Sequence, residues 1–314
     1  MNARHPKATT EFVRPHGDDS AGANMPVIAI FGPTASGKSA VAAAVAARIG
    51  AELVSADAMQ VYRDLPILTN QSSARLVGIW PLDHEASVGE YARLAHAAID
   101  EILAFGHTPL VVGGTGLYLR AALAEIELPP APAPGARERW QATYDELGPE
   151  QAHAFLADRD PLAAARVHAN DKRRVVRALE LNEAGHSLVR ADSRLWSGAL
   201  RHSTLIFGLE IERAILEPRI ERRTREMFEH GVSEEVRRAL EQPLSLTARR
   251  VIGLREVAEL GPEQAIEAIA LSTRRYAAYQ RKWMRRIPAL IRVNANRSAE
   301  EVADEIVEVA RAGK

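Results

Sequence analysis

The segment Gly32-Pro33-Thr34-Ala35-Ser36-Gly37-Lys38-Ser39 constrains this chain more than any other, because it fits the pattern G-x-x-x-x-G-K-[ST] in full. It follows the short apolar run 26–31 and precedes an alanine-rich helix expected over Ser39–Ile49. A loop placed in this way turns its backbone N–H groups toward phosphate oxygens, and the helix N-terminus behind it adds positive potential. Gly32 through Gly37 would shape that cradle, Lys38 would supply a point charge, and Ser39 a hydroxyl for Mg²⁺. The ligand expected here is a di- or triphosphate. The reaction stays open, since kinases, ATPases and other diphosphate users share the loop.

A phosphate loop of this kind needs a parallel sheet behind it, and the flanking sequence supplies the strands. Glu52–Ser55 reads as a second short strand leading to Asp57. Val88–Phe105 has helical spacing with a stop at Gly106, and Pro109–Val112 reads as a third strand. This alternation predicts a three-layer α/β core of the P-loop nucleotide-binding type. The texture changes at Leu128, where the proline-rich stretch 129–135 acts as a linker. From Ala136 to about Arg194 the pattern is helical throughout. Strand character returns at 203–209 and 289–293, and an amphipathic helix closes the chain over Ala299–Ala312. The expected order is a tail over 1–24, a first part of the core over 25–127, a helical insertion domain over 128–195, and a second part of the core over 196–314.

Composition narrows the function classes. Forty basic residues against forty-one acidic ones give a formal charge of −1, so net charge alone predicts no nucleic-acid partner. The chain has no cysteine, which excludes disulfides, thiolate metal sites and a cysteine nucleophile. No window reaches the ~20 apolar residues of a membrane span, and 1–24 lacks the apolar centre of a secretory signal. A cytoplasmic protein without a membrane partner is expected.

Three further groups of residues are candidates for the site. Asp57 follows the second strand, on the sheet edge where ligands of open α/β sheets bind. It is placed to hold Mg²⁺, to act as a general base, or merely to cap a helix. Gly113-Gly114-Thr115-Gly116 reaches the same edge, with Thr115 either bonding a substrate or capping the next helix. Arg219 and Arg223 lie four apart on one helix face, as a diphosphate clamp requires, although ion pairing with Glu neighbours such as Glu217 and Glu226 is the plainer reading. Two basic runs, 170–177 and 274–286, stand out from the near-neutral total. The second interleaves six cations with three aromatics, a composition suited to RNA, whereas most such runs are solvated helix faces.

Together these stretches resemble the tRNA dimethylallyltransferases, also called tRNA isopentenyltransferases. The likeness runs from about Val27 to Arg286. It is carried by GPTASGKS (32–39), SADAMQVYRDLPILT (55–69), PLVVGGTGLYLRAAL (109–123), DPLAAARVHANDKRRVVRALEL (160–181), RIERRTREMFEHGVSEEV (219–236), TARRVIGLREV (247–257) and TRRYAAYQRKW (273–283). The resemblance implies transfer of a dimethylallyl group from dimethylallyl diphosphate to N6 of adenosine 37, beside the anticodon of tRNA. It implies Asp57 as general base, with Arg223 and Thr115 beside it. Gly32, Pro33, Thr34, Ala35, Ser36, Gly37, Lys38 and Ser39 would hold the diphosphate, Ser39 through Mg²⁺. It also implies tRNA contacts at Asp57, Ala58, Met59, Gln60, Thr115, Arg137, Arg173, Arg174, Val175, Val176, Arg177, Arg250 and Arg255. The partners implied are the tRNA anticodon stem-loop and dimethylallyl diphosphate. A monomer is expected, since tRNA already supplies a large partner surface. Competing readings are a P-loop small-molecule kinase, an isopentenyltransferase acting on a free adenine nucleotide, and an RNA-binding protein with a degenerate nucleotide site.

Overall fold

The structure, a computed structural model, describes residues 26–125, 133–189 and 199–312. The expectations for 1–24, and the parts of the linker and insertion at 128–132 and 190–195, lie outside those residues.

The sheet begins with β1 (Val27–Phe31), five apolar residues that are all buried. A strand at the centre of a parallel sheet has both faces covered, so an unbroken apolar run is what that position requires. Val27, Ala29 and Phe31 enter one core, which includes Tyr91 and Leu119; Ile28 and Ile30 enter the other, which includes Val45 and Phe207. The remaining strands are β2 (Ala51–Ser55), β3 (Thr108–Gly113), β4 (Thr204–Glu210) and β5 (Ile291–Asn294). All pairs are parallel, in the order β2-β3-β1-β4-β5. The chain leaves β1 for one side of the sheet and later returns to its other side, so the loop after β1 sits at the point where strand order reverses.

The helices that follow are α1 (Lys38–Ile49), α2 (Pro66–Thr69), α3 (Val88–Ala104) and α4 (Gly116–Leu123). Next come α5 (Ala136–Arg159), α6 (Pro161–Ala164), α7 (Lys172–Glu183), α8 (Arg213–Glu229), α9 (Val232–Ala239), α10 (Leu254–Glu259), α11 (Pro262–Met284) and α12 (Ala299–Ala312). Ser87 caps α3 by accepting the Glu90 N–H at 3.2 Å. Helix α1 packs on α12, fixed at the surface by Arg48 bonding both Glu300 and Asp304 at 2.7 Å. Helix α5 is two helices joined at Gly148, whose φ of 78° breaks the turn just before Pro149.

Helices α5 to α7 carry a core of their own, built from Tyr144, Ala152, Leu156, Val175, Val176 and Leu179. Val175 and Val176 are therefore the inner face of α7. The resemblance had placed them in contact with tRNA; their burial leaves Arg173 and Arg174 as the residues of that run exposed to solvent.

Candidate functional site

The phosphate loop joins β1 to α1. Gly37 stands at the helix N-cap with φ 91°, a conformation that costs glycine little and other residues more. Lys38 donates from Nζ to the Pro33 carbonyl at 2.7 Å. Burial pushes its amine down to about 8; the negative charge of Asp57 opposes that shift, and the Arg223 guanidinium adds to it. Arg223 donates from Nη1 to Thr34 Oγ1 at 3.0 Å and is itself lowered by burial, with Asp57 again opposing. Lys38, Asp57 and Arg223 thus act on one another electrostatically within a single site.

That site is a cavity of about 500 Å³. Its polar end is formed by Thr34, Lys38, Ser39, Asp57, Arg219 and Arg223, and Leu68, Ile220, Met227, Ile252 and Ile269 supply an apolar wall. The structure also decides how α8 uses its charges. Glu217 and Glu226 pair with Arg213 and Arg222, at 2.5 and 3.4 Å. Arg219 and Arg223 are left facing the cavity.

Strand β2 ends at Ser55, so Asp57 lies two residues beyond it. Its Oδ1 accepts the Met59 N–H at 2.9 Å, a local turn that fixes the carboxylate. Thr115 is the residue before α4, yet its side chain makes no capping bond to that helix. Instead Oγ1 accepts the Ala58 N–H at 3.2 Å and lies 3.1 Å from the Tyr276 hydroxyl. Burial raises the Tyr276 phenol above its ordinary range, with the charge of Asp57 adding to the effect. Gln60 is tied at both ends, to Ser55 Oγ at 3.0 Å and to the Asn70 carbonyl at 2.7 Å, so it braces the wall of the site.

Ser39, Ser55, Asp57 and Gln60 line a smaller recess beside Lys38. Among the described residues no group of three or more His, Cys, Asp or Glu gathers to hold a metal. Hard oxygen donors in so small a number suit Mg²⁺ that is carried largely by substrate phosphates.

The amino-acid chain matches the family model described as IPP transferase over residues 60–287, and the one described as Isopentenyl transferase over 25–75. The chain belongs to the IPP transferase family. A tRNA dimethylallyltransferase of Corynebacterium jeikeium is 38% identical over 284 residues, covering 86% of this chain and 91% of that protein. The protein of that name from Mycobacterium tuberculosis is 42% identical over 285 residues, covering 83% and 90%. Among solved structures, the tRNA isopentenylpyrophosphate transferase of Staphylococcus epidermidis superposes with TM-score 0.65 at 27% identity, covering 92% of this chain and 99% of its own. A eukaryotic dimethylallyltransferase acting on tRNA superposes with TM-score 0.70 at 25% identity, covering 86% and 73%.

In this IPP transferase the remaining candidate residues fall into two sets. Arg173, Arg174, Arg250 and Arg255 are exposed, with Arg174 3.6 Å from Asp171 and Arg255 3.8 Å from Glu259. Arg137 and Arg177 are engaged within the protein. Arg137 bonds Glu180 at 2.9 Å and Glu85 at 3.4 Å, and Arg177 bonds the second oxygen of Glu180 at 2.9 Å. The Glu180 side chain has no exposed surface. Glu85 in turn accepts the Thr247 N–H at 3.3 Å, so this network joins the helical segment to the core.

Sequence reasoning missed Gln280. It is 1% exposed, and it touches both the phosphate loop and the Gly113–Gly114 turn. Its signal was available: an uncharged polar residue one turn from Tyr276 in a strongly basic helix.

Proposed function

We propose that this protein transfers the dimethylallyl group of dimethylallyl diphosphate to N6 of adenosine 37 in tRNA. The observation that carries the reading is the meeting of Asp57, Lys38 and Arg223 at one cavity with an apolar wall. A diphosphate and a short hydrocarbon chain need just those two surfaces, side by side. The names of the relatives support RNA as acceptor, as do the cations exposed on α7 and α11.

The chemistry follows from charge. As the bond from the allylic carbon to the diphosphate oxygen breaks, its electron pair stays with the diphosphate, and positive character builds on carbon. Lys38, Arg223, Arg219 and the loop N–H groups are fixed in advance around the oxygens that receive this charge. N6 attacks the allylic carbon, and the Asp57 carboxylate takes the proton that the amine must lose. The target base has to leave the anticodon-loop stack to reach the cavity. Mg²⁺, held by Ser39 together with substrate oxygens, would neutralise part of the diphosphate charge.

The test is transfer of label from dimethylallyl diphosphate to an unmodified anticodon stem-loop, with adenosine monophosphate and ATP run beside it. Label on the stem-loop is expected, and Asp57→Asn should lower the rate by roughly 10²–10⁴-fold while keeping the Met59 bond. Label on the free nucleotide instead, or ATP hydrolysis with no transfer, would overturn the reading.

A further inference from the structure

We infer that Gln280 is a positioning residue that holds the diphosphate loop at a fixed distance from the acceptor side of the site, an inference that rests on the proposed transfer reaction. Its amide faces two ways. Oε1 accepts the Thr34 N–H at 2.7 Å, and Nε2 donates to the Gly114 carbonyl at 3.0 Å. Thr34 belongs to the loop assigned to the donor, and its hydroxyl is already bonded by Arg223. Gly114 adjoins Thr115, whose hydroxyl bonds the Ala58 N–H beside Asp57.

Three observations make this bridge a designed contact. A buried amide costs free energy unless its donor and its acceptor are both satisfied, and here each is satisfied by backbone of a different loop. Gly114 has no room for a side chain, because a Cβ there would run into Nε2 of Gln280. Tyr276, one helical turn earlier on α11, reaches Thr115 itself, so the inward ridge of this helix grips the donor loop and the acceptor turn together. Glutamine alone among the common side chains has this length with a donor and an acceptor on one plane. Glutamate lacks the donor at neutral pH, and leucine lacks both.

Each loop keeps other anchors without Gln280. Thr34 keeps Arg223, Lys38 keeps the Pro33 carbonyl, and Thr115 keeps Ala58. Removing the bridge should therefore spare the binding of each substrate and spoil their alignment. An error of about 1 Å between reacting atoms lowers a rate by as much as roughly 10²-fold.

The experiment compares the full chain with its Gln280→Leu and Gln280→Glu variants. It measures kcat and both KM values in stem-loop prenylation, binding of inorganic diphosphate, and thermal unfolding. For Gln280→Leu the expected result is a kcat lower by about ten- to a hundredfold, with diphosphate affinity and both KM values within about threefold of the parent. For Gln280→Glu the ratio of its kcat to that of the parent should rise as pH falls, because only the protonated carboxyl can donate to Gly114. Should the leucine variant fail to fold, this pH dependence carries the test alone. An unchanged kcat, a loss confined to the KM for dimethylallyl diphosphate, or a kcat that merely follows the folded fraction would each overturn the inference. Absence of transfer by the parent protein would instead sink the proposed function itself.

Discussion

At the scale of single residues, the site works through charges held where water is scarce. Lys38 is the clearest case. Its amine, pushed down to about 8 by burial, gives up its proton more easily than a solvated lysine. Binding a diphosphate reverses the balance, since the bound anion favours the ammonium form. The sign follows directly: above about pH 8 the free protein must take up a proton to bind, and its affinity falls as pH rises. Inorganic diphosphate should weaken by at most about tenfold per pH unit in that range, with proton uptake visible as a buffer-dependent heat. A flat affinity from roughly pH 7 to pH 10, with no buffer dependence, would show that Lys38 stays charged in the free protein.

At the scale of elements, what could be read from sequence followed the range of the interactions that hold each element. β1 and α12 are fixed by their own residues, through unbroken apolar character in one and a 3.6-residue stripe in the other, and both were legible. Helix α2 was not. It is four residues long, and its Ile67 and Leu68 N–H groups are bonded at 2.8 Å by the carboxylate of Glu235, from another helix far along the chain. Nothing near α2 announces that partner. In the candidate site the phosphate loop and Asp57 were legible because their chemistry is local. Gln280 was not, because its partners lie more than 160 positions away. Val175 and Val176 show the opposite error, in which a basic run was taken whole although its apolar members form the inner face of α7. That face also carries Glu180, buried between Arg137 and Arg177. Glu180→Ala leaves two half-buried guanidinium groups facing each other and should destabilise the α5–α7 unit by about 2–3 kcal/mol. Denaturant unfolding measures this; diphosphate binding to the core should stay unchanged, and a loss of both together would mean that the helical unit and the core are one cooperative body.

At the scale of the whole molecule, a formal charge of −1 gives no overall attraction to a partner as acidic as RNA. The distribution removes the difficulty. Many arginines are tied to carboxylates, as Arg48, Arg75, Arg201 and Arg237 are, and those cancel locally. Among the described residues Arg173, Arg250, Arg275, Lys282, Arg285 and Arg286 are exposed and make no ion pair within 4.0 Å, and the same holds for Arg63, Arg93, Arg159, Arg166, Arg249 and Arg311. The densest group, Arg275, Lys282, Arg285 and Arg286, lies on α11 and the turn after it, and Arg173 stands on α7. Affinity for a stem-loop should therefore depend on these cations and scarcely on the total. Each phosphate neutralised releases counterions, so the logarithm of the binding constant falls with the logarithm of salt in proportion to the contacts made. Arg173→Ala and Arg286→Ala should each reduce that slope by about 1 and weaken binding across unrelated stem-loop sequences alike. Arg48→Ala, which removes an equal charge already paired with Glu300 and Asp304, should leave the slope where it was. Equal changes in all three variants would mean that RNA responds to the overall field of the protein, and the local assignment of its contacts to α7 and α11 would fall.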